Sequence, residues 1–327
     1  MRRSGLTIAT AVLVTSLLGL AACGGDAEKD DRVPAPLTYR PNVALKATVT
    51  DAGQDAGVRV EHVTYRSVDG QSVPALLTIP TDRPSRGCLI YQPGFALGKD
   101  QTPGVRTGAA SLGLSTFTID PRNVGARGSL DQAIAALKRP ETLRNMVADT
   151  AVDLRVGLDY LQRRPECHHN IALMGTSFGA IVGAIVAGQD PRIKATVLTS
   201  VGPSFRRGVL MTNREAKADP DFPLAMVPGA ADDADLLADA VDVLAPIDPD
   251  KWVGKIAPRP LLLINGLQDP MVTHGDARAI AQAARAPKTV LEVEAGHDPF
   301  APGPEQQQIF EKVARFLQRN LDLERTA

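Results

Sequence analysis

Positive charge is nowhere concentrated in this chain: 36 Lys and Arg stand against 37 Asp and Glu, a net charge of −1 over 327 residues. Without a basic run, or a basic patch interleaved with aromatics, a phosphate backbone finds no counter-charge, and nucleic acid is not an expected partner. Histidine is scarce, so a general base must be one of His62, His168, His169, His274 and His297. Cysteine is scarcer, with Cys23, Cys88 and Cys167 the only three. Long apolar runs are also few. Residues 6–20 form an apolar run at the N-terminus, and it is short for a membrane-crossing helix of about 20 residues. No internal repeat is visible.

That run follows Arg2 and Arg3 and closes on Leu20-Ala21-Ala22-Cys23. Charge, apolar core and a small-residue boundary together describe an export signal over residues 1–22. The boundary resembles a bacterial lipobox. The resemblance implies that Cys23 becomes the mature N-terminus and carries lipid of the palmitate kind, anchoring the protein to the membrane outside the cytoplasm. The alternative is an ordinary secretory signal in which the cysteine is accidental. Residues 23–36 mix Asp, Glu, Lys and Pro with almost no large apolar side chain, and are expected to form a disordered tether. Losing the leader removes Arg2 and Arg3, shifts the net charge from −1 to −3 and leaves 305 of the 327 residues. Residues 37–327 then suffice for one large domain with a proper core.

Within that domain, residues 45–79 read as strand-like: residues 58–65 are β-branched and partly alternating, Asp69-Gly70 marks a turn, and residues 73–80 run extended again, an antiparallel opening hairpin. Beyond Gly87 the grammar becomes one of short apolar strands alternating with helices. Strands are expected at 88–91, 114–120, 171–174, 193–198, 260–264 and 289–293, and helices at 141–161, 180–187, 275–285 and 306–320. Such alternation specifies a mostly parallel central sheet with helices on both faces, an α/β class. Residues 200–258 break the rhythm with Pro, Asp, Arg and one amphipathic piece near 232–244, and read as a cap insertion over the catalytic edge. Cys88 and Cys167 lie near the starts of neighbouring strands. An exported location permits a disulfide between them, and two separately buried thiols are the alternative.

The chemistry centres on Gly175-Thr176-Ser177-Phe178-Gly179, placed between an apolar strand and a small-residue helix. In that setting the glycines allow a sharp turn that lifts the Ser177 hydroxyl above the end of a buried sheet. A serine needs a base, and the base needs a carboxylate to fix its tautomer. His297, which leaves the late strand 289–293 through Glu294-Ala295-Gly296, is the base of choice. His62 sits too early, His168 and His169 precede the serine strand at its wrong end, and His274 enters a helix. Asp269, just beyond the strand 260–264, is the acid of choice over Asp276 and Asp298. The developing oxyanion needs two donors: the Phe178 N–H, and one from the loop after 88–91, with Phe95 first and Gly94 second because Pro93 has no N–H. Arg122, Arg127, Arg206 and Arg207 read as solvated loop arginines.

Taken together, Gln92-Pro93-Gly94-Phe95, Asp120-Pro121-Arg122 with Gly125, the serine pentapeptide, Gly266-Leu267-Gln268-Asp269-Pro270 and Gly296-His297 resemble the α/β-hydrolase superfamily, near its dienelactone-hydrolase-like and acetyl-esterase-like members. The resemblance implies an α/β-hydrolase fold and cleavage of carboxylic esters of small molecules through a Ser177-His297-Asp269 triad, with no metal or organic cofactor. A serine peptidase or thioesterase shares this chemistry, and a catalytically silent binding lipoprotein shares the fold. The sequence leaves the oligomeric state open. One outcome follows from the leader alone: Cys23→Ala is expected to release the protein from membranes in a fractionation experiment, whereas retention on the membrane would show that Cys23 carries no anchor.

Overall fold

Side chains alternate between the two faces of a strand, so a strand apolar at every position must have both faces covered. The computed structural model describes residues 37–39, 44–167, 169–219, 221–303 and 305–323, and its central strands divide in this way. Leu89, Ala172, Val197 and Leu262 join one buried cluster, and their successors Ile90, Leu173, Leu198 and Leu263 join the other. Residues 1–36, with the expected export signal, Cys23 and the tether, lie outside the described residues, as does His168.

The chain opens with β1 (Thr48–Asp55), β2 (Val58–Arg66), β3 (Ser72–Pro80) and β4 (Cys88–Gln92). Helix α1 (Pro103–Ser111), β5 (Ser115–Ile119), α2 (Leu130–Leu137) and α3 (Pro140–Leu161) follow, then β6 (Ile171–Thr176), α4 (Phe178–Gln189) and β7 (Ile193–Thr199). Helices α5 (Phe205–Ala218), α6 (Ala234–Leu244) and α7 (Asp250–Val253) precede β8 (Leu261–Gly266), α8 (His274–Ala283), β9 (Lys288–Val293) and α9 (Gln306–Asn320). The strands form one sheet in the order β1-β2-β3-β5-β4-β6-β7-β8-β9. Pairing is antiparallel from β1 through β3 to β5 and parallel from there to β9.

Two features go beyond the sequence reading. The opening hairpin is a three-stranded meander, because β1 adds to β2 through an Ala56-Gly57 turn with φ of 47° and 82°. Every residue of β1 is exposed, so it has no apolar alternation to announce it. Helices α1 and α2 were also unmarked, the first for its glycines and the second for its shortness, although Ser129 and Gln132 close a capping box on α2. Helix α3 buries Leu143, Val147, Thr150, Leu154, Leu158 and Leu161 along one stripe. Helix α9 presents Ile309, Val313 and Leu317 to the opposite face of the sheet.

Cys88 begins β4 and Cys167 ends the turn before β6, and the two form a disulfide with Cα atoms 4.7 Å apart. The bridge closes a loop of 79 residues at the end of the sheet where the parallel strands begin. Replacing both cysteines by alanine is therefore expected to lower stability by about 2–5 kcal/mol in urea unfolding. Turnover of a shared substrate by the folded variant should be unchanged, since Ser177 lies past the other end of β6.

Candidate active site

Two parallel neighbours, β4 and β6, end side by side with Gln92 opposite Gly175, so the segments that leave them start from one place. After Thr176 the chain turns through Ser177, at φ 53° and ψ −118°, directly into α4. Left-handed φ costs a residue with a Cβ and persists only where surrounding structure enforces it. The enforcement here is steric. A Cβ at Gly175 would fall into the Gly179 backbone, and one at Gly179 would fall into the carbonyls of Gln92 and Pro93. The Ser177 N–H meanwhile donates to the Thr199 carbonyl at 2.9 Å.

The Ser177 hydroxyl meets His297 Nε2 at 2.8 Å. On the other side of the ring, His297 Nδ1 lies 3.0 and 2.9 Å from the two oxygens of Asp269. A ring nitrogen facing a carboxylate carries the proton, which leaves Nε2 free to accept from Ser177. Asp269 is fixed in turn, its Oδ1 accepting the N–H groups of Met271 at 2.7 Å and Val272 at 3.0 Å. Its side chain has no exposed surface. The His297 loop crosses closely over β8, because a Cβ at Gly266 would strike the Ala295 and Gly296 carbonyls. Ser200, another left-handed residue at φ 56°, donates its hydroxyl to the His297 carbonyl at 2.6 Å.

The competing residues lie elsewhere. Asp276 closes a capping box with Thr273 and pairs with Arg207 at 2.9 Å, and Asp298 accepts the Phe300 N–H. His62 sits exposed on β2, His169 meets Gln162, and His274 pairs with Glu292. Gly94 packs close to Ser177, and the rings of Phe95 and Phe178 meet edge to face at 6.3 Å. Among the described residues, the N–H groups of Gly94, Phe95 and Phe178 donate to no protein acceptor. Helix α4 also begins at Phe178, which adds the positive end of its dipole.

A cavity of about 140 Å³ opens from Ser177 and His297, walled by Phe95, Leu143, Ile181, Phe205, Leu224 and Met226. Helix α5, within the 200–258 segment, supplies much of that wall. Two of the four loop arginines depart from the sequence reading. Arg122 is buried and the Arg127 side chain nearly so, neither being solvated, because both grip Asp153 of α3. Arg207 lines the cavity mouth. Asp120, which the sequence marks only as part of the Asp120-Pro121-Arg122 motif and to which it gives no role, is 1% exposed, and its carboxylate gathers the loop after β4.

A family model described as BAAT / acyl-CoA thioester hydrolase C terminal matches residues 155–285. No curated protein matches the chain. Among solved structures, acetyl xylan esterase 1 from Thermoanaerobacterium sp. JW/SL YS485 is similar at a TM-score of 0.68 and 16% identity, over 89% of this chain and 92% of that one. An acetyl xylan esterase from Paenibacillus sp. R4 gives 0.67 at 19% identity, over 84% and 89%. A Pyrococcus furiosus esterase gives 0.63 at 17%, over 87% and 98%. The fold is that of the α/β-hydrolases.

The cavity wall has a pH-dependent root. Asp248, buried just before α7, accepts the Phe205 N–H at the start of α5 at 2.7 Å. Burial pushes its carboxyl from the ordinary 3.8 up to about 6, against the pull of the Phe205 N–H; Asp250 adds to the rise and Lys251 opposes it. A raised folded value means that this group favours the native state below about pH 4 and gives that advantage up as pH rises through 6. Asp248→Asn keeps an acceptor for Phe205 and removes the ionisation. It is expected to gain up to about 3 kcal/mol at pH 8 and nothing below about pH 4, as read from urea midpoints at the two pH values.

Proposed function

We propose that this chain is a serine hydrolase of carboxylic esters that works through an acyl-enzyme. The observation that carries the reading is the unbroken hydrogen-bonded line from Asp269 through His297 to Ser177, at 2.8–3.0 Å, ending at the mouth of an apolar cavity. Ser177 Oγ attacks the ester carbonyl carbon while His297 Nε2 takes the hydroxyl proton, and Asp269 holds the imidazolium that results. The carbonyl oxygen becomes an oxyanion between the N–H groups of Phe178 and Phe95, with Gly94 the alternative donor. Collapse of the tetrahedral species breaks the bond to the alcohol oxygen, which leaves with the proton from His297. Water, activated by the same histidine, then releases the acid and restores Ser177.

The apolar wall of the cavity suits the hydrocarbon part of an acyl group, which gains about 0.8 kcal/mol for each CH₂ taken from water. A second reading, thioester hydrolysis, is favoured by the match of residues 155–285 to a thioester hydrolase family. It uses the same residues and differs only in the leaving atom. With Cys23 as a lipid anchor, the protein would act from the outer face of the membrane.

Fluorophosphonate labelling with peptide mapping tests the nucleophile. Label is expected on Ser177 and absent from Ser177→Ala, with kcat on p-nitrophenyl acetate falling by about 10⁵–10⁶-fold. A folded protein that neither labels nor hydrolyses short aryl esters or thioesters would overturn the reading. The ratio of kcat/KM for matched oxygen and sulfur esters decides between its two forms.

A further inference from the structure

The loop from Gly94 to Thr102 supplies Phe95, yet it belongs to no helix or strand. Its own hydrogen bonds are short-range ones. Leu97 N–H donates to the Gly94 carbonyl, Gly98 N–H to Gln101 Oε1, Gln101 N–H to the Gly98 carbonyl, and the Thr102 hydroxyl to the Lys99 carbonyl. Such bonds shape the loop without fixing its place relative to Ser177. Directly after Phe95, Ala96 is held at φ 61°, a conformation that persists only under external constraint.

The constraint comes from one buried carboxylate. Asp120 leaves the end of β5 with its own N–H on the Pro74 carbonyl. Its Oδ1 accepts the Lys99 N–H at 2.9 Å, and its Oδ2 accepts Lys99 Nζ at 3.1 Å and the Ala126 N–H at 3.0 Å. Glycines face it from both segments. A Cβ at Gly98 would come within 2.7 Å of Oδ1, and one at Gly125 would overlap the carboxylate outright. Arg127, which donates to the Asp120 carbonyl, reaches on to Asp153 of α3, and Arg122 grips the same aspartate. The backbone of Asp120, and with it the base of the carboxylate, is thus tied to α3 through Arg127 and Asp153 by charge-assisted bonds.

We propose that Asp120 is a positioning residue that sets the oxyanion-binding N–H of Phe95 by clamping Gly98 and Lys99 of its loop. This inference rests on the esterase reading above. An oxyanion donor stabilises the transition state only if it is in place before charge develops. Releasing the clamp should therefore act on kcat while leaving ground-state contacts in the apolar cavity alone.

Asp120→Asn is the direct test, since its amide would turn a donor toward Lys99 Nζ or the Ala126 N–H. Gly98→Ala is the companion, because it keeps the carboxylate and its charge and adds only the methyl that would press on Oδ1. For p-nitrophenyl acetate, each folded variant is expected to lose about 10²-fold in kcat, the lower end of the loss for one oxyanion donor, with KM within about twofold. Affinity for a boronic-acid transition-state analogue should fall in parallel, while that for the product acid stays as in wild type. If wild type itself neither labels at Ser177 nor turns over ester, the esterase reading fails. If wild type is active and a folded variant keeps its kcat, or loses kcat and product affinity alike, the clamp is wrong. Should Asp120→Asn not fold, Gly98→Ala with wild-type kcat would overturn the proposal alone.

Discussion

The corner that presents Ser177 depends on two stretches of backbone in direct contact. Gly179 leaves no room for a side chain against the carbonyls of Gln92 and Pro93, and Gly175 leaves none against Gly179. That contact brings the start of α4 against the loop leaving β4, so Phe178 and Phe95 face one point beside Ser177. The rest of the site has to reach the same point from farther away. β8 and β9 stand two and three strands from β6, which at about 4.8 Å per strand is roughly 10 and 14 Å. The His297 loop covers that distance by leaning back over Gly266, whose missing side chain clears its path, and Ser200 holds it down from β7. Left-handed, non-glycine residues at Ala96, Ser177 and Ser200 mark the three places where the backbone bends hardest around the site.

Charge performs the matching task behind the loop after β4. Asp153 has no exposed side-chain surface and holds Arg122 and Arg127, while Arg122 extends to Asp69 on the β2–β3 turn. Burial alone would lower the Arg122 pKa, but the carboxylates of Asp153 and Asp69 raise it above its ordinary value. Nearby Asp149 lies on the other side of the balance, its carboxyl raised by burial. Taking such groups out of water costs nearly what their attraction returns, so the network adds little net stability. Its value here is geometric. A fork of fixed donors on fixed acceptors joins the loop after β5, helix α3 and the opening meander into one frame, and the segment that presents Phe95 hangs from that frame.

These two kinds of constraint explain what the sequence could and could not disclose. Strands buried on both faces announce themselves as apolar runs, and Leu261-Leu262-Leu263-Ile264 was legible for that reason. Ser177, Asp269 and His297 were legible because each stands just past the end of such a run, in the order expected of the fold. β1 was illegible as a separate strand because none of its residues is buried, so nothing in its pattern is periodic. Arg122 and Arg127 were misread because an arginine's burial depends on a partner, and Asp153 lies about 30 residues away on a helix whose apolar stripe drew the attention. Asp120 shared this difficulty. Its neighbours Gly98 and Gly125 carry the signal, but a glycine shows only that something approaches closely, not what does.

The cavity then limits how a leaving group could be chosen. Among its lining residues Arg207 is the one cation, and it already faces Asp276 at 2.9 Å. A strongly anionic leaving group would have to compete for Arg207 with a carboxylate that is 6% exposed, and the pair as a whole presents no net charge to attract it. Drawing Arg207 away would also leave a buried carboxylate without its counter-charge, which is costly. On the proposed reading, discrimination would fall to apolar contact with residues such as Phe95, Phe205 and Met226, where one methylene more or less is worth about 1–3 kcal/mol. Selectivity set that way would be graded by the size and shape of the acyl chain more than by the leaving atom. On the reading proposed above, a site of this construction would serve oxygen and sulfur esters alike.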